Sequence, residues 1–66
     1  MKSYWTIDGV NQVFRTLEDA KDYIAFNYTP QEVRKYLQYN DICHIVNGKW
    51  ISYVRITIKN LNIWNQ

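Results

Sequence analysis

The stretch Asp41–Lys59, DICHIVNGKWISYVRITIK, decides the fold. Asn47-Gly48 interrupts two runs rich in β-branched and aromatic residues, the pattern of a hairpin whose two-residue turn takes left-handed backbone at both central positions. Such a turn dictates the pairing: Val46 opposite Lys49, Ile45 opposite Trp50, His44 opposite Ile51, Cys43 opposite Ser52. Residues directly opposite share a face. The register therefore predicts a core face of Cys43, Ile45, Trp50, Ser52, Val54, Ile56 and Ile58. The other face receives Ile42, His44, Val46, Lys49, Ile51, Tyr53, Arg55, Thr57 and Lys59, too apolar a set for a surface that meets only water.

A second turn signal, Asp8-Gly9, predicts an N-terminal hairpin of 2–7 with 10–15, although VNQVFR is a weak strand sequence. Alternation puts Trp5, Ile7, Val10 and Phe14 on its core face and Tyr4, Thr6, Asn11, Val13 and Arg15 on its outer face. Between the hairpins, Thr16 reads as a helix N-cap followed by the acids Glu18 and Asp19, with Leu17, Ala20 and Ile24 tracing the inner stripe. Thr29-Pro30-Gln31-Glu32 is a capping box with proline at the first helical position, and Val33, Tyr36 and Leu37 continue that stripe. The spacing predicts helices over about 17–27 and 30–39.

These elements assemble into a two-layer α+β fold in the order ββααββ: a four-stranded, mainly antiparallel sheet of two hairpins, with two short helices packed on one face. The 66 residues form one small domain. The tail from Asn60 to Gln66 carries Leu61, Ile63 and Trp64 and is expected to dock on the core or on a partner subunit.

Composition limits the function. A chain of 66 residues with three Trp, six Tyr and two Phe is globular rather than disordered, but a domain this small buries only about 60% of its unfolded surface. One cysteine removes the intramolecular disulfide, and one cysteine with one histidine gives no metal site. A rich core and self-association remain as sources of stability. No apolar run reaches the roughly 20 residues of a membrane span, and MKSYWTIDG lacks a signal-peptide core, so a cytoplasmic protein is expected. Asn27-Tyr28-Thr29 then reads as a chance glycosylation pattern.

Catalysis is not expected. Cys43 and His44 are neighbours on a strand and point to opposite faces, Glu18 and Asp22 lie on a solvated helix face, and the sequence holds no phosphate loop or metal motif, so no catalytic residue and no cofactor is assigned.

What remains is a binding surface. Eight basic and six acidic residues give a net charge of +2, too mild for bulk attraction of nucleic acid. Sorted by predicted location, however, the acids fall in the first turn, on the helices and, with Asp41, at the entry to the second hairpin, while Arg15, Lys49, Arg55 and Lys59, with Lys2 at the edge, fall on the outer sheet face. Tyr4, His44 and Tyr53 interleave with them, and Ile51 stands among Val13, Ile42 and Val46. The candidate partner-binding set is therefore Tyr4, Arg15, His44, Lys49, Ile51, Tyr53 and Arg55. The apolar members favour a protein partner or a homo-oligomer, with a dimer as the first expectation. The cations and rings supply an alternative, a nucleotide-like anion or single-stranded nucleic acid. A non-enzymatic module of this size acting by occupancy fits an accessory inhibitor of the kind that phages and mobile elements carry.

Overall fold

The computed structural model describes residues 2–61. Strands β1 (Ser3–Ile7) and β2 (Val13–Phe14) precede helix α1 (Leu17–Asn27), a one-turn helix α2 (Pro30–Glu32) and a π-helical segment Val33–Leu37; strands β3 (Asp41–Val46) and β4 (Lys49–Arg55) and helix α3 (Ile58–Leu61) follow. The four strands form one antiparallel sheet in the order β2-β1-β3-β4. The expected α+β architecture is therefore the observed one, with β1 and β3 paired at its centre.

Local chemistry sets the helices. Thr16 Oγ1 accepts from the Asp19 amide at 3.0 Å, and α1 ends where Tyr28 turns extended and its N–H donates to Ile24 O at 2.9 Å. Thr29 starts the next helix with a reciprocal box: Glu32 Oε1 accepts from the Thr29 amide at 3.0 Å, and Thr29 Oγ1 from the Glu32 amide at 3.2 Å. These bonds satisfy donors that a helix start otherwise leaves unpaired. Beyond Glu32 the helix widens into the π segment, which keeps Val33 and Leu37 buried against the sheet.

Reading the pairs across the sheet gives the core directly. One row runs Ile7, Ile42, Val54; the next runs Phe14, Trp5, His44, Ser52. Ile7 and Ile42 meet Ala20 and Ile24 from α1, Val33 and Leu37, Ile56 and Leu61 in one buried cluster, with Trp5, Val10, Leu17 and Val54 packed at its margin. Burying an aliphatic side chain contributes about 1.5–3 kcal/mol, so the strand faces are dictated by where these isoleucines go.

The second hairpin corrects the expected faces. Asn47 (φ 52°) and Gly48 (φ 79°) form the turn, and Val46 pairs with Lys49 and Ile45 with Trp50 as expected. His44, however, pairs with Ser52 and Cys43 with Tyr53, because a β-bulge at Ile51 adds one residue to β4. An extra residue reverses the in-and-out order on one side of it. Val54 stays inward while Trp50 points out; β3 is reversed throughout, with Ile42 and His44 inward and Cys43 and Ile45 outward. The reason is the β1–β3 ladder, where Ile7 pairs with Ile42. Filling the core with Ile42 rather than Cys43 outweighs one irregularity in an edge strand.

Two further expectations change. The strand predicted through Lys59 ends at Arg55. Ile56 donates its N–H to Asn40 O at 2.8 Å, and Thr57 Oγ1 accepts from the Asn60 amide at 3.1 Å, so Lys59 lies on α3. In the first hairpin, Val10 N–H bonds Ile7 O at 2.9 Å, but only Gly9 (φ 81°) is left-handed, so the Asp8-Gly9 turn does not feed directly into a paired strand. Pairing resumes with Trp5 opposite Phe14, and the expected strand 10–15 shrinks to Val13–Phe14. A two-residue turn would set Trp5 opposite Gln12. The displacement is by two, so Phe14 keeps its inward face. Trp64 and Ile63 lie outside the described residues.

Candidate interaction face

The face of the sheet turned away from the helices consists of three short rows. Tyr4, Ile45 and Trp50 form one; Val13, Thr6, Cys43 and Tyr53 the second; Asp41 and Arg55 the third. The bulge gathers the aromatic part of this face. Trp50 and Tyr53 are three apart and would point oppositely in a regular strand. With Ile51 as the extra residue they share the outer face and stack, ring centroids 5.6 Å apart and planes 23° from parallel. Arg55 extends the strip, its Cζ 6.0 Å from the Tyr53 ring centre.

These groups are open to water. Trp50 and Ile51 are each 56% exposed, Tyr53 49% and Val13 63%. Under them sits Cys43, which is buried although it lies outside the main core. Burial pushes its thiol pKa up, the Trp50 side chain opposes this by hydrogen bonding, and the negative charges of Asp8 and Asp41 raise it further. The nucleophile is the thiolate, so Cys43 is an inert filler beneath the aromatic pair at neutral pH.

Charge on this face is smaller than the sequence suggested. Arg55 Nε lies 3.1 Å from Asp41 Oδ1, so the one cation in the aromatic strip is paired with an acid in the same row. Lys49 pairs with Val46, placing it on the helix side of the sheet end, and Arg15 is exposed just past β2. Lys2 sits at the Asn47 turn, where its amide donates to Asn47 Oδ1 at 3.2 Å. His44 leaves the face altogether. It stacks on Trp5 with centroids 4.1 Å apart and planes 6° from parallel, its Nε2 2.7 Å from Ser3 Oγ.

Of the seven candidates, the fold thus brings Tyr4, Tyr53 and Arg55 onto the open face, sets Ile51 in the bulge beside them, leaves Arg15 exposed just past the end of β2, and takes His44 and Lys49 off the face. Trp50, assigned to the core by uninterrupted alternation, is the member that alternation missed. On the helical side, Phe26 is 87% and Tyr39 75% exposed. For Phe26 the signal was present, since it lies two residues from the buried Ile24 and so on the far side of α1.

Among the described residues no three metal-ligating side chains converge, and no helix is long and apolar enough to cross a membrane. Comparison with protein-family models, with curated proteins and with solved structures finds no match to this chain.

Proposed function

We propose that this chain is a non-enzymatic binding module that acts by occupancy, engaging a protein surface through the open sheet face. The observation that carries the reading is the stacked, half-exposed Trp50–Tyr53 pair beside exposed Ile51. Aromatic residues dominate the energetics of protein interfaces, and flat apolar groups surrounded by few free charges suit a protein surface better than a polyanion. Arg55 over Tyr53 favours the second reading, a stacked base or nucleotide. Its pairing with Asp41 weighs against that reading, because a polyanion needs cations that are not already neutralised. A cytoplasmic accessory inhibitor remains the kind of role such a module would serve.

The experiment is photo-crosslinking in the native host from a benzoylphenylalanine at position 51. An adduct made of protein, whether with this chain or another, is the expected result. An adduct that nuclease removes, or none, would overturn the reading.

A further inference from the structure

Among the described residues the sheet has one long open edge. β2 is two residues long, whereas β4 runs from Lys49 to Arg55, pairs within those residues only with β3, and contains no proline. A strand edge carries a row of unpaired N–H and C=O groups, which proteins ordinarily protect with charges, proline or a bulge. Here the protection is the bulge at Ile51, and it does not act equally on all comers.

Consider β4 meeting β4 of a second copy about a two-fold axis, antiparallel, so that the numbers of opposite residues add to a constant. If the axis passes through Ser52, Lys49 falls opposite Arg55 and outward Trp50 opposite inward Val54. Both charge and face are then wrong. If the axis passes between Ile51 and Ser52, Trp50 falls opposite Tyr53 and Lys49 opposite Val54. Now the opposite pairs on either side of the axis share a face, because the bulge reverses the order between Trp50 and Ser52 in both chains, and the bulge residue Ile51 meets Ser52 at the axis itself. A regular strand such as β3 matches β4 only by leaving residue 51 without a partner, whereas an identical bulged strand matches it residue for residue.

Resting on the interaction reading above, we infer that the protein partner is a second copy of this chain, joined through β4 in the register that sets Trp50 against Tyr53. The two four-stranded sheets become one of eight strands. Directly opposite side chains in an antiparallel pair have Cβ atoms about 4.5–5.5 Å apart, so the two aromatic pairs merge into one strip of four rings. Charge fits the same partner: Arg55 is already matched by Asp41 within its own chain, and the two Lys49 side chains lie toward opposite ends of the joint. An isologous contact of this kind is closed and adds no further copies. A seven-residue strand edge is smaller than the roughly 800 Å² per partner of a standard interface, so the dimer dissociates on dilution.

The test begins with the unmodified protein: mass by sedimentation over a wide concentration series, and amide hydrogen exchange at its two extremes. A dimer that dilutes to monomer, with protection of β4 amides gained at high concentration, is expected. Register is then read in a Cys43→Ser background, where a mixture of Trp50→Cys and Tyr53→Cys chains should form a mixed disulfide on mild oxidation while neither chain alone should dimerise covalently. A monomer at all concentrations overturns the inference, as does a dimer whose β4 amides remain unprotected or whose cross-links form between identical variants. Failure here together with a position-51 adduct to a different protein leaves the interaction reading standing. Failure of both removes it.

Discussion

His44 lies flat on Trp5, on the helix side of the sheet, and its Nε2 meets Ser3 Oγ at 2.7 Å. The pair bridges β1 and β3 directly, since the two residues are opposite partners in the central ladder. Aromatic stacking contributes about 0.5–1.5 kcal/mol beyond the area it buries. His44→Ala is therefore expected to lower stability by about 1–2 kcal/mol in urea denaturation, without altering the mass of the native protein. A change in mass at equal stability would show that His44 acts at an interface instead.

Trp50→Ala should do the opposite. The ring is more than half exposed and rests on Tyr53 and Cys43 rather than in the core. Its removal is expected to change stability by no more than about 1 kcal/mol, while concentration-dependent association weakens and shifts to higher concentration. Far-UV circular dichroism and sedimentation on the same sample check both halves.

Ile51 is predicted to be dispensable to the fold, because it is the extra residue of β4. Ile51→Ser should retain the fold. Deleting residue 51 should retain it as well, because the shortened strand then pairs one to one with β3, Trp50 opposite Ile45, Ser52 opposite His44 and Val54 opposite Ile42, and no side chain changes face. Loss of the cooperative thermal transition in the deletion variant would refute the assignment of residue 51 as the bulge.

Gly48 provides a clean backbone test. Its φ is 79°, and a Cβ placed there would meet nothing within 4 Å. Gly48→Ala should thus cost about 1–2 kcal/mol of left-handed strain alone, and Gly48→Asn, which tolerates that region, less. Equal loss in both would point to a steric cause that the open surroundings do not provide.

Cys43 gives a pH signature. Its thiol pKa is raised above the ordinary 9.0, chiefly by burial. Above the ordinary value the unfolded chain therefore holds fewer protons than the folded one, and stability falls as pH rises through the folded pKa. Below the ordinary value the contribution is fully present. Urea denaturation from pH 8 to 11 should show the wild type losing stability faster than Cys43→Ala over the alkaline half of that range, with parallel curves below it.

Much of the fold could be read along the chain because its signals are local. Thr16 and Thr29 announce their helices by the bonds their own side chains make, and Asn47-Gly48 fixes its own turn by backbone conformation. Faces were less legible. No residue type marks a bulge, and the parity of β3 is set by Ile7, which lies far away in sequence and reaches Ile42 only in the folded sheet. That single unreadable residue moved Trp50 onto the open face and took His44 off it. Lys59 was misplaced for another reason: Thr57 caps a short helix through the Asn60 amide, a signal overshadowed by the β-branched run before it.

The central ladder also has a consequence for synthesis. β1 is made first, yet its principal partner is β3, with Ser3 opposite Val46 and Ile7 opposite Ile42. β2 offers it only two residues in the meantime. Until Val46 has left the ribosome, Trp5 and Ile7 have no completed surface to join, and α1 has no sheet on which to lay Ala20 and Ile24. Local helices can flicker earlier, but the cooperative step must wait for closure of that long loop, which places this chain among slow folders for its size. Translation thus finishes most of the molecule before the first lasting tertiary contact can form.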